Sequence, residues 1–209
     1  MRILIADDHA VVRQGLKQIL TDEFPTAMFG EAANAAEVLT QARNQKWDLV
    51  LLDISLPDKS GLDVLKELKQ AQPKLPTLVL SMHPEDQFAV RVLKAGAAGY
   101  LTKETATEKL AEAVRKALSG GTYVSSSLAE TLAHDVSRKL DGPPHEMLSD
   151  REFEVARLLA SGKTVKEIAG VMSLSVKTIS TYRTRLLEKL RLRNNAELAR
   201  YALEHHLVD

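Results

Sequence analysis

No cysteine occurs among the 209 residues. That excludes a disulfide framework and any thiolate metal site. No apolar run approaches the length needed to cross a bilayer, which excludes a membrane-spanning helix. Internal repeats and low-complexity tracts are also absent. The first residues form a strand-like run, Arg2–Ala6, without the basic segment and long apolar stretch of a secretion signal. The expectation is a cytoplasmic protein with no membrane partner. The length is enough for two small domains, each with its own core.

Net charge is lacking too, but the zero total hides an asymmetry. Residues 1–120 carry 15 Lys and Arg against 16 Asp and Glu, and residues 121–146 carry 2 against 4. Residues 147–209 carry 11 against 8. Seven basic residues fall between Lys177 and Arg200, against Glu188 and Glu197. A basic C-terminal stripe of this kind suits a polyanion partner.

Residues 1–120 alternate strand and helix. Apolar runs of strand length lie at 2–6, 27–32, 49–52, 77–80 and 99–101. Helical patterns fall near 10–21, 35–45, 61–71, 85–95 and 106–118. Continuous apolar strands indicate a parallel sheet covered on both faces. The predicted fold is a flavodoxin-like, doubly wound α/β sheet of five parallel strands. A link, 121–146, follows Ser119-Gly120-Gly121. It includes a helical pattern over 125–139 with Leu128, Leu132 and Val136 on one stripe, broken by Asp141-Gly142-Pro143-Pro144. The flexible boundary is expected there. Residues 147–209 read as an all-α unit of four helices. Ser149 with Glu152 and Thr164 with Glu167 each form a capping-box pattern, and Ser175 is a third N-cap. Two helices joined by a tight turn, the second long and basic, match a helix-turn-helix.

Ligands of doubly wound sheets bind outside the carboxyl ends of the strands. Asp7, Asp8, Asp53, Ser81 and Lys103 all fall there. Each alone has an ordinary explanation as a cap or a turn residue, so the inference rests on their combination. Three converging carboxylates repel one another unless a cation joins them. Mg²⁺ suits this set, being a hard ion that prefers oxygen ligands and bridges to phosphate; Asp7, Asp8, Asp53 and the backbone carbonyl of Ser55 are the candidate ligands. With that charge screened, Asp53 is the candidate nucleophile for a phosphoryl group. Lys103 and the Ser81 hydroxyl would hold the phosphoryl oxygens.

The stretches ILIADDH, LVLLDISLPDKSGLDVLKEL, LVLSMH and AGAAGYLTKE resemble the receiver domain of two-component response regulators. The resemblance implies that Asp53 is the phosphoacceptor and that Asp7 and Asp8 are the acidic pair. It also implies that Lys103 is the conserved-type lysine, with Ser81 and Tyr100 as the switch hydroxyl and aromatic. Phosphorylation would then draw Ser81 inward and let Tyr100 rotate in. Many receivers have proline after the lysine; this chain has Glu104. Ser55 and His83 occupy positions that tune dephosphorylation in such domains.

On the predicted helix 175–190, Ile179, Tyr182, Leu186 and Leu190 fall within one apolar arc. Lys177, Ser180, Thr181, Thr184 and Glu188 lie opposite, free to enter a major groove. Arg183, Arg185 and Lys189 flank that face within reach of phosphates. Ser175, Lys177 and Thr178 sit where helix amides and dipole favour an anion. The stretch LSDREFEVARLLASGKTVKEIAGVMSLSVKTISTYRTRLLEKLRLRNNAELARYAL resembles a LuxR-type helix-turn-helix. The domain order is that of the NarL/FixJ subfamily. The resemblance implies a homodimer on double-stranded promoter DNA, a sensor histidine kinase as phosphoryl donor, and RNA polymerase as a further partner to test.

A regulator that is not an enzyme is therefore expected. The alternative is a regulator that binds DNA regardless of phosphorylation and uses its receiver as a docking surface. A haloacid-dehalogenase-type phosphatase would need a second acid two residues after its nucleophile, and Ser55 stands there.

Overall fold

The computed structural model describes residues 1–82, 85–130, 144–205 and 207–208; the side chains of Asp86, Gln87, Glu146 and Asp150 lie outside that description. The chain divides into two compact units, Met1–Ser137 and Arg138–Asp209.

In the first unit, strands and helices alternate: β1 (Arg2–Ala6), α1 (Ala10–Glu23), β2 (Met28–Ala32), α2 (Ala35–Asn44) and β3 (Leu49–Asp53). They continue with α3 (Gly61–Ala71), β4 (Thr77–Ser81), α4 (Glu85–Lys94), β5 (Gly99–Thr102) and α5 (Lys103–Leu118). The five strands pair in parallel in the order β2-β1-β3-β4-β5. The strands β3 and β4, both interior to the sheet, are buried at every residue. A strand covered on both faces has no polar side to display, hence the unbroken apolar runs.

Side chains alternate across the sheet. Ile3, Ile5, Leu49, Leu51, Leu78, Leu80 and Leu101 pack on Leu16 and Leu20 of α1 and on Leu110 and Val114 of α5. Each side chain fully buried in this way contributes roughly 1.5–3 kcal/mol. Leu4, Val50, Leu52, Val79 and Tyr100 alternate with these and are equally buried.

Helix α5 begins three residues earlier than its periodicity predicts. Thr102 acts as N-cap, its Oγ1 accepting from the Thr105 amide at 3.2 Å. Lys103 thus belongs to the first helical turn rather than to a loop, and Glu104 occupies the turn where acidic residues favour the helix dipole.

Packing of the first unit continues past residue 120. The Tyr123 amide donates to the Ala98 carbonyl at 2.8 Å, and Tyr123 and Leu128 are both buried. Residues 126–130 are helical, as expected for the start of the link. The remainder of that helix pattern, with Leu132 and Val136, lies outside the described residues, as do His83 and the expected break over 141–143.

The second unit opens with a 3₁₀ turn (Pro144–Met147), followed by α6 (Asp150–Ala160), α7 (Val165–Val171), α8 (Val176–Leu190) and α9 (Asn195–Glu204). Both capping boxes are present, Ser149 with Glu152 and Thr164 with Glu167. The turn between α7 and α8 passes through Ser173 in the left-handed region (φ 52°), which lets the Leu174 amide return to the Ala169 carbonyl at 2.9 Å. Phe153, Leu159, Ile168, Ile179, Leu186 and Leu198 form the core of the unit.

Candidate functional site

Four strand ends meet at one edge of the sheet. Asp7 follows β1, Asp53 ends β3, Ser81 ends β4, and Lys103 follows β5. Asp7 is 1% exposed, Asp53 2% and Ser81 0%. Lys103 reaches across them: its Nζ donates to Asp53 Oδ2 at 2.9 Å and lies 2.6 Å from Asp7 Oδ2. The Ser55 amide donates to Asp53 Oδ1 at 3.1 Å, and Ser55 is exposed. The amide of His9 donates to Asp7 Oδ1 at 2.9 Å, and His9 Nδ1 lies 2.7 Å from Asp8 Oδ1.

The electrostatics follow from one ammonium facing two buried carboxylates. Burial pushes the Asp53 carboxyl above its ordinary range; Lys103 pulls it back, and the neighbouring charge of Asp7 pushes it up again. Lys103 moves up, because Asp53 and Asp7 outweigh the burial that would lower it. Ligand atoms of Asp7, Asp8 and His9 lie within 4.8 Å of one another, a group able to hold a metal ion. Asp53 is joined to that group through Lys103. Tyr100, the expected switch aromatic, is fully enclosed.

Long-range contacts that no local spacing signalled brace this edge. Arg13 donates through Nη1 to the Asp7 carbonyl at 2.8 Å and through Nε to Glu31 at 3.0 Å. Glu31 is held below the usual carboxylate range, Arg13 being the largest influence. Asp58 accepts from the amides of Ala35 and Ala36 at the start of α2. Beside Ser81 and Lys103, Met82, Glu85, Thr102 and Ser127 line a cavity.

In the second unit, α8 buries Ile179, Leu186, Leu187 and Leu190. Leu187 thus joins the expected apolar arc, and Tyr182 is only half-buried. Lys177, Ser180, Thr181, Thr184, Arg185 and Glu188 are exposed together. Ser175 caps the helix, accepting from the Thr178 amide at 3.0 Å, and its hydroxyl meets Thr178 Oγ1 at 2.8 Å. The hydroxyls of Ser180, Thr181 and Thr184 each donate to the carbonyl four residues back, at 2.9–3.1 Å. Two of the expected phosphate contacts have partners inside the unit. Arg183 Nε donates to Asn195 at 2.8 Å, and Lys189 Nζ donates to Glu152 at 2.5 Å.

A doubly wound sheet with clustered acids at its carboxyl edge, followed by a helix-turn-helix unit, defines a receiver joined to a DNA-binding module. Residues 3–115 match the response regulator receiver domain, and residues 146–202 match the LuxR family of bacterial regulatory proteins. The chain is 35% identical over 210 residues to the response regulator GacA of Pseudomonas aeruginosa, covering 100% of this chain and 98% of GacA. It is 32% identical over 210 residues to the response regulator UvrY of Escherichia coli, covering 100% and 96%. Among solved structures, RcsB of Salmonella enterica serovar Typhimurium, bound to the promoter rprA in the presence of the phosphomimetic BeF3⁻, superposes with a TM-score of 0.63. Their identity is 27%, with 96% of this chain and 98% of RcsB covered. The chain belongs to the two-component response regulators, within the NarL/FixJ family, and is a DNA-binding transcription regulator. Among the described residues no helix is long and apolar enough to cross a membrane.

Proposed function

We propose that Asp53 accepts a phosphoryl group from a sensor histidine kinase and that this controls dimerisation and promoter binding through α8. The observation that carries the reading is the Asp7–Lys103–Asp53 bridge at the carboxyl edge of the sheet. The phosphorus–nitrogen bond of the donor histidine would break as a bond forms from phosphorus to an Asp53 carboxylate oxygen. Lys103, between two carboxylates, is placed to shift from Asp53 Oδ2 to the incoming phosphoryl oxygens. The Ser81 hydroxyl, buried at the end of the adjacent strand, is the second candidate donor.

The donor set fits Mg²⁺. Asp7, Asp8 and Asp53 carry three negative charges against the one of Lys103, and all their donors are hard oxygens. Asp7 Oδ2 is buried and accepts no well-directed hydrogen bond, with the Lys103 ammonium 2.6 Å away. Bound by Asp7, Asp8 and Asp53, with the Ser55 carbonyl as a further ligand, Mg²⁺ would neutralise this excess and polarise a phosphoryl oxygen.

RcsB is bound to promoter DNA in the solved complex, and that likeness supports a DNA interface on α8 here. Lys177, Arg185 and Lys189 are exposed cations of the helix, Lys189 being paired with Glu152, and Ser180, Thr181 and Thr184 are exposed hydroxyls. The hydroxyl protons are directed to backbone carbonyls, so their free lone pairs suit the amino groups of adenine or cytosine. Reversing a 1:99 population to 99:1 needs about 5.5 kcal/mol. A phosphoryl group with several charge-assisted contacts and a dimer interface can supply that.

In a second reading, DNA binding is independent of phosphorylation and the receiver serves as a docking surface. Intact mass after incubation with Mg²⁺ and acetyl phosphate separates the two, followed by DNA affinity. A gain of one phosphoryl group in wild type and none in Asp53→Asn, with tighter DNA binding after the gain, supports the switch. Equal DNA affinity with and without the phosphoryl group supports the second reading.

A further inference from the structure

The stretch after α5 does not leave the receiver directly. It turns at Gly120, which is in the left-handed region (φ 83°), and runs back along the free edge of β5. There Tyr123 forms a parallel bridge with Gly99. The approach is so close that a Cβ on Gly99 would meet the Tyr123 carbonyl oxygen at 2.8 Å and the Tyr123 Cβ at 2.9 Å. Residue 99 must therefore be glycine for the bridge to form.

Two residues later, the segment is fastened a second time. The Ser125 hydroxyl donates to Glu85 Oε2, and the Ser127 hydroxyl donates to the same oxygen at 3.2 Å. Ser125 Oγ also accepts from the Leu128 amide at 3.1 Å, so the residue that grips Glu85 is the cap that starts the helical stretch 126–130. Leu128 is buried behind it. Glu85 is the first residue of α4, four positions beyond Ser81. Glu85 and Ser127 line the same cavity as Ser81, Thr102 and Lys103.

We propose that residues 123–128 are a latch on the receiver, fastened by Ser125 and Ser127 to Glu85 and released by a phosphoryl group on Asp53. This rests on the phosphoacceptor reading of Asp53 given above. The force is electrostatic. A phosphoryl group adds about −1.5 to −2 charge at neutral pH beside Lys103. Glu85, which lines that cavity together with Lys103, is repelled by the added charge. That repulsion parts Glu85 Oε2 from the two serine hydroxyls. The cap at Ser125 loses its fixed position, and the first turn of the link becomes free to move. The phosphorylated site thereby acts on the link.

Hydrogen–deuterium exchange of the full chain tests the latch, with phosphoryl uptake read by intact mass on the same samples. In wild type, phosphorylation with Mg²⁺ and acetyl phosphate is expected to speed exchange at Tyr123, Leu128 and Ala129 by about tenfold, the effect of losing one or two hydrogen bonds. Ser125→Ala combined with Ser127→Ala removes both anchors without touching the core, and the exchange should be fast before phosphorylation. Glu85→Gln keeps an acceptor oxygen but no charge, so the latch should stay protected in both states. A phosphoryl gain in wild type with unchanged exchange at these amides overturns the latch and leaves the phosphoacceptor reading standing. So does a double-serine variant as protected as wild type. No phosphoryl gain overturns both.

Discussion

Lys103 Nζ lies 2.9 Å from Asp53 Oδ2, although fifty residues separate the two in sequence. The same ammonium stands 2.6 Å from Asp7, so one cation serves two buried carboxylates. Removing it leaves both acids without the ammonium they share. Breaking a buried pair from one side costs about 3–5 kcal/mol. Lys103→Met, which keeps most of the length of the side chain and removes its charge, is expected to lower receiver stability by that order in metal-free buffer at pH 7. Mg²⁺ should restore a large part of the loss. Urea unfolding followed by Trp47 fluorescence measures it, and a variant as stable as wild type would show that the carboxylates do not depend on the lysine.

Asp53→Asn should have the opposite effect on stability. Burial, joined by the charge of Asp7, raises the Asp53 carboxyl above its ordinary value near 3.8. A raised carboxyl is easily accommodated when protonated and costly when ionised. The cost is absent below the ordinary value and grows as pH rises through the folded one. At pH 7 without metal the neutral amide is therefore expected to raise the Tm. A gain of about 1 kcal/mol corresponds to roughly 4 °C for a domain of this size. The difference should vanish toward pH 3. A lower Tm for the variant at pH 7 would contradict the assignment of burial as the dominant influence on Asp53.

The second unit should respond to acid in the usual direction for a bonded carboxylate. Burial raises the Glu152 carboxyl, but hydrogen bonds from Lys189 and from Ser149 outweigh it and hold it below 4.5. Its stabilisation is present above that value and is lost as pH falls through the folded one. Denaturant unfolding of the 147–209 fragment between pH 7 and pH 3 should show this loss, and Glu152→Gln should flatten it. Identical pH profiles for the two would rule out Glu152 as the titrating group.

Lys177 and Lys189 should separate in a DNA-binding assay. Lys177 is exposed at the start of α8, whereas Lys189 is fastened to a buried glutamate. Each phosphate contact contributes about −0.9 to the slope of log K against log salt. Lys177→Ala is expected to make that slope shallower by roughly one for each subunit bound. Lys189→Ala should leave the slope close to wild type and instead lower the stability of the 147–209 fragment. The reverse pattern would place Lys189 at the DNA.

The order of strands and helices was legible because each element has its own period. Buried parallel strands read as continuous apolar runs, and the helices carry stripes and caps. Ser149, Thr164 and Ser175 could be recognised as caps because a cap is a local chemical arrangement over four residues. The start of α5 was misplaced by three residues for the converse reason. Lys103 and Glu104 contribute nothing to an apolar stripe, so only the Thr102 cap marked the true beginning. The convergence of Asp7, Asp53 and Lys103 followed from the rule that strand ends share one edge. The contacts of Arg13 with Glu31, Lys189 with Glu152 and Ser125 with Glu85 did not follow, since each joins elements whose distance depends on packing angles. Gly61 lies between these cases. Its place after the acceptor was visible, but not the reason: a Cβ there would meet the Asp53 carbonyl oxygen at 2.2 Å.

The bridge between Gly99 and Tyr123 has a practical consequence for building chimeric regulators. A receiver cut at residue 120 to accept a foreign output module would lose a buried tyrosine and a buried leucine and uncover the edge of β5. Exposed strand edges recruit other chains. The safe junction lies beyond Leu128, where spacer length can be varied while the sheet stays sealed.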